Sequence, residues 1–284
     1  MTMDGNAAGA PRFAVGTVIS TSLSVLFANV WSFLLIILAV GLPAAVLIGG
    51  SVAVMAGASR GTGVEGGIDL AGGGATQVLF LIFIAILAVL AYLLIQAAVT
   101  YGALQSLRGR KAGIGACISS GLAALPRVFL AGLIFSVTMG IVGFILARLI
   151  GELLAGGGVA TGILAGLVMA AFFIFVVILF WVFIPAIVVE RDGPIDCFAR
   201  SLALTKGRRW AIFGILALVF VANWVISLLG QFLGEIAPIA SGVINLVAGL
   251  FFMALSAVLA AVGYYYLRAE KEGIAIDDVV AVFD

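Results

Sequence analysis

Six stretches of the chain carry apolar residues at nearly every position, and charged residues collect between them. They cover approximately 31–56, 77–104, 128–147, 160–189, 210–233 and 239–267, with no Asp, Glu, Lys or Arg inside. A hydrocarbon layer of about 30 Å is crossed by about 20 helical residues at a rise of 1.5 Å each, so every stretch is long enough to span it. None alternates apolar and polar positions with period two, and each is at least about twice the length of a barrel strand. Both observations predict helices. The expected fold is all-α, a polytopic transmembrane helix bundle of six spans forming one membrane domain over 1–284.

A second pattern precedes each odd-numbered span. Val15, Val18, Ile19, Leu23 and Leu26 fall at helical spacing, as do Ile114, Cys117, Ile118, Leu122 and Leu125, and Ile195, Phe198, Ala199, Leu202 and Ala203. Polar residues take the opposite face, which predicts short amphipathic helices lying in the membrane interface. The three segments also align in detail. Thr21-Ser22-Leu23 matches Arg200-Ser201-Leu202, the same offset pairs Trp31 with Trp210, and Cys117 and Cys197 stand five residues before Leu122 and Leu202. Entry motifs repeat at 110–114, 191–195 and 271–274. The chain therefore reads as three units of interfacial helix plus transmembrane hairpin, at about 13–104, 112–189 and 193–267, followed by a tail at 268–284. Hairpins so related are expected to pack about a pseudo-three-fold axis, with Gly102, Gly143, Gly166 and Gly249 allowing close helix approach.

Composition agrees with lipid as the solvent: 64% of residues are hydrophobic and 10% charged, a balance no soluble surface accommodates. The net charge of +1 says little, whereas the placement of the cations orients the chain. With the amino terminus inside, Arg12, Arg108, Arg110, Lys111, Arg127, Arg191, Arg200, Lys206, Arg208, Arg209, Arg268 and Lys271 all lie inside, leaving Arg60 and Arg148 outside. Each cation beside an anionic leaflet contributes about 1 kcal/mol, so both termini are expected in the cytoplasm of a bacterial cytoplasmic (inner) membrane. The first apolar run continues to about Met55, too long for a cleaved signal, and is expected to remain as an anchor. The glycine-rich segment 57–76 reads as an outer linker.

Candidate chemistry is sparse. The chain has no histidine, and its two cysteines lie 80 residues apart in sequence at 117 and 197, so no metal, redox or acid/base motif emerges and no cofactor is expected. Gln96, Asn223 and Asn245, with Thr100 and Ser227, are candidates for an intramembrane polar path; as interhelical hydrogen-bond partners they need no further role. Pro43, Pro185 and Pro238 are expected to interrupt helices. Lys206, Arg208, Arg209 and Trp210 read as headgroup contacts, cations toward lipid phosphates with the indole at the interface. Carboxylates of the same loop, Glu190 to Trp210, are expected in salt bridges with Arg191 and Arg200.

That loop, through its GPI…SLALTKG…W pattern at 193–210, resembles bacterial glycerophosphoryl diester phosphodiesterase membrane domain proteins, as do the lead-in at 13–35 and the ending at 266–284. The phosphodiesterase chemistry of that family belongs to a separate soluble barrel with carboxylate and histidine metal ligands, for which this chain has neither the histidines nor the length. The resemblance implies a membrane module without that enzyme activity. Its expected partners are membrane lipids and an unidentified protein, with no nucleic acid. The expected role is to scaffold or regulate a partner or to organise lipid, and the alternative is a permease for a lipid or small solute.

Overall fold

The computed structural model describes residues 13–61, 75–110, 113–153, 159–190, 193 and 195–272. Most of the 57–76 linker, Lys111, Arg191, Asp192, Pro194 and the tail from 273 lie outside the described residues, so the entry motifs and part of the basic inventory are not placed. The helices are α1 (Val15–Ala28), α2 (Val30–Gly61), α3 (Ala75–Leu107), α4 (Ile114–Leu153), α5 (Val159–Leu179), α6 (Phe183–Glu190), α7 (Asp196–Thr205), α8 (Arg209–Ile236) and α9 (Pro238–Glu272). Among the described residues there is no strand. Six helical stretches are long and apolar enough to cross a membrane, the fourth being α5 and α6 together. The chain is a multi-pass helical membrane protein.

The amphipathic segments are anchored at matching register. In α1 the buried positions include Val18, Ser22 and Val25; in α4, Cys117, Gly121 and Ala124; in α7, Cys197, Ser201 and Leu204. Each set has the spacing i, i+4, i+7 of one helix stripe, with a small residue in the middle where backbones approach. Their neighbours rotate in step. Helix α1 packs on α9, the first part of α4 on α3, and α7 on α6. Thus each segment lies against α9, α3 or α6 respectively, and those three helices meet pairwise.

The middle segment departs from the expectation of a separate interfacial helix: α4 runs unbroken from it into the span, through Pro126. The reason lies in what ends the other two. Asn29 closes α1, its backbone non-helical at φ −124° and its side-chain amide donating to the Val25 carbonyl at 3.0 Å. Gly207 opens the turn after α7 with φ +89°, a left-handed conformation that favours glycine. At the equivalent place α4 has Pro126-Arg127, and proline, though it leaves one carbonyl without its helical donor, does not by itself reverse the chain.

Two further expectations are corrected. Pro43 sits within unbroken α2, and Pro238 begins α9, where its missing N–H costs nothing. Pro185 accompanies an interruption at Phe180–Val182, because it cannot donate to the Trp181 carbonyl, and Pro238 follows the break at Ala237 between α8 and α9. Close approach at glycine is realised at Gly102, where an added Cβ would lie 3.0 Å from the Phe33 ring and 3.2 Å from Cys117 Sγ, and at Gly143, 3.4 Å from Phe173. Gly166 and Gly249 have open space around them. The tightest site is Gly263, whose Cβ would fall 2.5 Å from the Trp181 ring, so α9 closes on the break in the fourth span.

Protein–protein burial is concentrated at one end of the bundle, here called the basic end, which holds α1, α7 and the α3–α4 connection. In α3 the buried residues begin at Leu93, and in α9 at Ala254. Over Pro238–Met253, about 24 Å of helix, α9 has no buried residue; it is tied to α8 by Ser241 Oγ donating to the Gly230 carbonyl at 2.7 Å, and near its end Phe251 meets Phe27 of α1. In the opposite halves of the spans, Gly143 and Gly230 are the buried positions among the described residues.

Because the Trp181 ring cannot retreat cheaply, Gly263→Ala is expected to destabilise the protein by about 1–3 kcal/mol, against less than about 0.5 kcal/mol for Gly166→Ala. Unfolding in mixed micelles, followed by tryptophan fluorescence, measures both.

Candidate functional site at the basic end

Three helix ends bring four charges together. Glu190 closes α6, Arg200 lies in α7, and Arg268 and Glu272 occupy the last turns of α9. Arg200 Nε donates to both Glu190 carboxylate oxygens, at 2.9 and 3.0 Å, and its terminal nitrogen reaches Glu272. Arg268 Nε donates to Glu272 at 2.7 Å, and its Nη1 lies 3.9 Å from Glu190. Tyr264 completes the ring by donating its hydroxyl to Glu190 at 2.5 Å. With two cations and two anions the cluster is electrically neutral, so charges withdrawn from water need no counter-ion. Burial alone would lower the Arg200 pKa; its hydrogen bonds to Glu190 and Glu272 outweigh that and raise it above the ordinary arginine value.

Beside this ring, Arg208 donates through Nε to Glu270 at 2.9 Å, and Glu270 also accepts the backbone N–H of Phe13 at 2.8 Å. The start of the described chain, the start of α8 and the end of α9 are thus tied at one carboxylate. Thr21 and Tyr266 hydroxyls share a hydrogen bond at 3.2 Å, adding a second tie between α1 and α9. Serine and threonine bind α7 to the fourth span, Ser201 Oγ donating to the Leu179 carbonyl at 2.8 Å.

The four residues read from the sequence as headgroup contacts separate here. Arg208 is turned inward to Glu270. Lys206 and Trp210 are exposed, Trp210 at 87%, and Arg209 is half-buried with its guanidinium 5.7 Å from the centre of the Phe175 ring. The polar-path residues are not gathered in one place. Gln96 is buried between α3 and α9, donating to Tyr92 at 2.9 Å and Ser256 at 3.2 Å. Asn245 is exposed between α8 and α9, donating to the Ser241 carbonyl at 3.0 Å. Eleven residues of α9 separate Ser256 from Asn245, about 16 Å along the axis. Asn223 is half-buried on α8.

A family model described as a domain of unknown function, DUF7847, matches residues 13–270. The chain belongs to the DUF7847 family. No curated protein and no solved structure shows a significant match. The DUF7847 match begins at Phe13, whose N–H is held by Glu270, and ends at Glu270 itself, so it takes in the whole tied body and the Glu190–Arg200–Arg268 cluster except Glu272.

Sequence reasoning finds the Glu190–Arg200 pair from their closeness in one loop. It misses Arg268 and Glu272, which are 68 and 72 residues beyond Arg200 in sequence. A signal was present: Tyr264, Arg268 and Glu272 fall at steps of four on one helix stripe, an unusual polar stripe at the end of an apolar helix.

Removing one member of a mostly buried ion cluster leaves the others uncompensated. Glu190→Gln is expected to cost about 2–4 kcal/mol of stability. Glu152→Gln, which breaks the exposed Arg148–Glu152 pair at 3.7 Å, should cost less than about 0.5 kcal/mol. Equal losses in mixed-micelle unfolding would contradict the compensated cluster.

Proposed function

We propose that the protein is a non-catalytic module of a bacterial cytoplasmic membrane, its basic end and both termini in the cytoplasm, that organises lipid and scaffolds a protein partner. The supporting observation is the neutral cluster of Glu190, Arg200, Arg268 and Glu272. It spends the polar chemistry of the basic end on holding α6, α7 and α9 in fixed relation, as a docking platform requires, while Lys206, Arg209 and Trp210 stay outward. Matching buried register in α1, α4 and α7 supports reading the platform as three repeats of one unit.

The permease reading would call on Gln96, Asn223 and Asn245 as a common path. Gln96 and Asn245 serve different helix pairs at different depths, which favours their structural role as interhelical ties. The resemblance to phosphodiesterase membrane domain proteins agrees with a module lacking the enzyme.

Extraction into native lipid nanodiscs followed by mass spectrometry tests this function. A stoichiometric protein or a retained phospholipid is the expected result, and its loss in Gln96→Leu with Asn245→Leu would favour the permease instead. Orientation is checked separately. With a membrane-impermeant maleimide, Arg148→Cys should label in intact spheroplasts and Arg110→Cys only after lysis; the reverse pattern would invert the topology.

A further inference from the structure

The turn from α7 into α8 departs from its counterparts. Aligned on Ser22, Gly121 and Ser201, the positions of Lys206, Arg208 and Arg209 are held by Phe27, Asn29 and Val30 in the first unit and by Pro126, Val128 and Phe129 in the second. The scaffold therefore does not require these cations. Arg208 has a structural partner in Glu270, which leaves Lys206 and Arg209. A third cation joins them from the end of α9: Lys271, whose ammonium donates to the Ala203 carbonyl and lies within electrostatic range of both.

Arg209 carries the most specific signal. Its guanidinium rests near the Phe175 ring of α5, and its Nε–H is buried without an acceptor. A charged N–H donor shielded from water is expected to have one. Next to it, Trp210 stands edge-on to Phe213 at 6.1 Å and is largely exposed, giving an apolar surface where α5 and α8 meet. Glu270, next to Lys271 in the chain, is already engaged by Arg208 and the Phe13 N–H.

We infer that Lys206, Arg209 and Lys271 form a cradle for the phosphate of an anionic phospholipid, whose acyl chains lie beside Phe175, Phe213 and Trp210. This rests on the membrane-module reading and gives it a ligand class. Two lysines supply point charge, and arginine supplies directed donors, among which the buried Nε lacks an acceptor. A free phosphate ion would meet the same cations but would gain nothing from the apolar surface.

The test is native mass spectrometry of protein reconstituted in vesicles of equimolar phosphatidylglycerol and phosphatidylcholine. The wild type is expected to retain phosphatidylglycerol preferentially. Arg209→Lys keeps the charge and loses Nε, so it should reduce that preference about tenfold, and Lys206→Gln with Lys271→Gln should reduce it comparably. Arg108→Gln with Arg110→Gln removes two charges elsewhere at the basic end and should leave it intact. Unchanged retention in Arg209→Lys, or equal loss in the Arg108/Arg110 variant, would overturn the cradle while leaving the membrane-module reading standing. Displacement of the lipid by millimolar inorganic phosphate would assign the site to the free ion and also overturn the proposal. If a variant fails to fold, brominated lipids added to the wild type and to Trp210→Phe decide. Trp31 and Trp224 are exposed and are quenched by either lipid, so the part of the quenching lost with Trp210 is compared. A larger part for brominated phosphatidylglycerol supports the site, and an equal part for brominated phosphatidylcholine refutes it.

Discussion

Two guanidinium groups held between two carboxylates decide where the helix ends of this protein meet. In lipid the hydrophobic effect gives helices little reason to choose one another, because acyl chains solvate leucine as well as leucine does. Specific polar ties therefore do much of the choosing. Here Glu190, Arg200, Arg268 and Glu272 join α6, α7 and α9, and Glu270 joins Arg208 to Phe13. With these ends fixed, the apolar stripes of α3 and α9 have partners, and burial of Val99, Val258, Val262 and Leu267 follows.

The same reasoning explains why packing is uneven. Away from the ionic ties, the spans have small-residue contacts within hairpins, such as Gly143 with Phe173 and Gly230 with Asn245, and little that links one hairpin to the next. Where no polar pair or close backbone approach rewards association, lipid competes on equal terms. The unburied stretch Pro238–Met253 of α9 belongs to a helix that is central at its other end.

Much of this was legible in the sequence, and the reasons differ by feature. Spans are legible because a membrane imposes length and apolarity on a continuous segment, without reference to the rest of the fold. The amphipathic segments were legible by period, and the register shared by Ser22, Gly121 and Ser201 reappears as a shared buried face. Termination was harder. Asn29 and Gly207 end helices through local backbone conformation, while the absence of such a residue near Pro126 joins two predicted elements into one. The site was half legible: Glu190 and Arg200 are near in sequence, whereas the partner of Arg208 is 62 residues away at Glu270 and depends on how α9 returns. Glycines could not be ranked beforehand, since Gly263 and Gly249 look alike until Trp181 is placed against one of them.

A bundle closed at one end and open at the other presents two different materials to the two leaflets. The basic end presents a fixed array of charge and aromatic rings, its helices pinned by Glu190, Arg200, Arg268 and Glu272. In the opposite halves of the spans the side chains are apolar and few positions are buried, so fewer protein contacts hold those halves in place. The two halves of one bundle are thus held by different means, the first by charge pairs that link several hairpins and the second by contacts that stay within a hairpin.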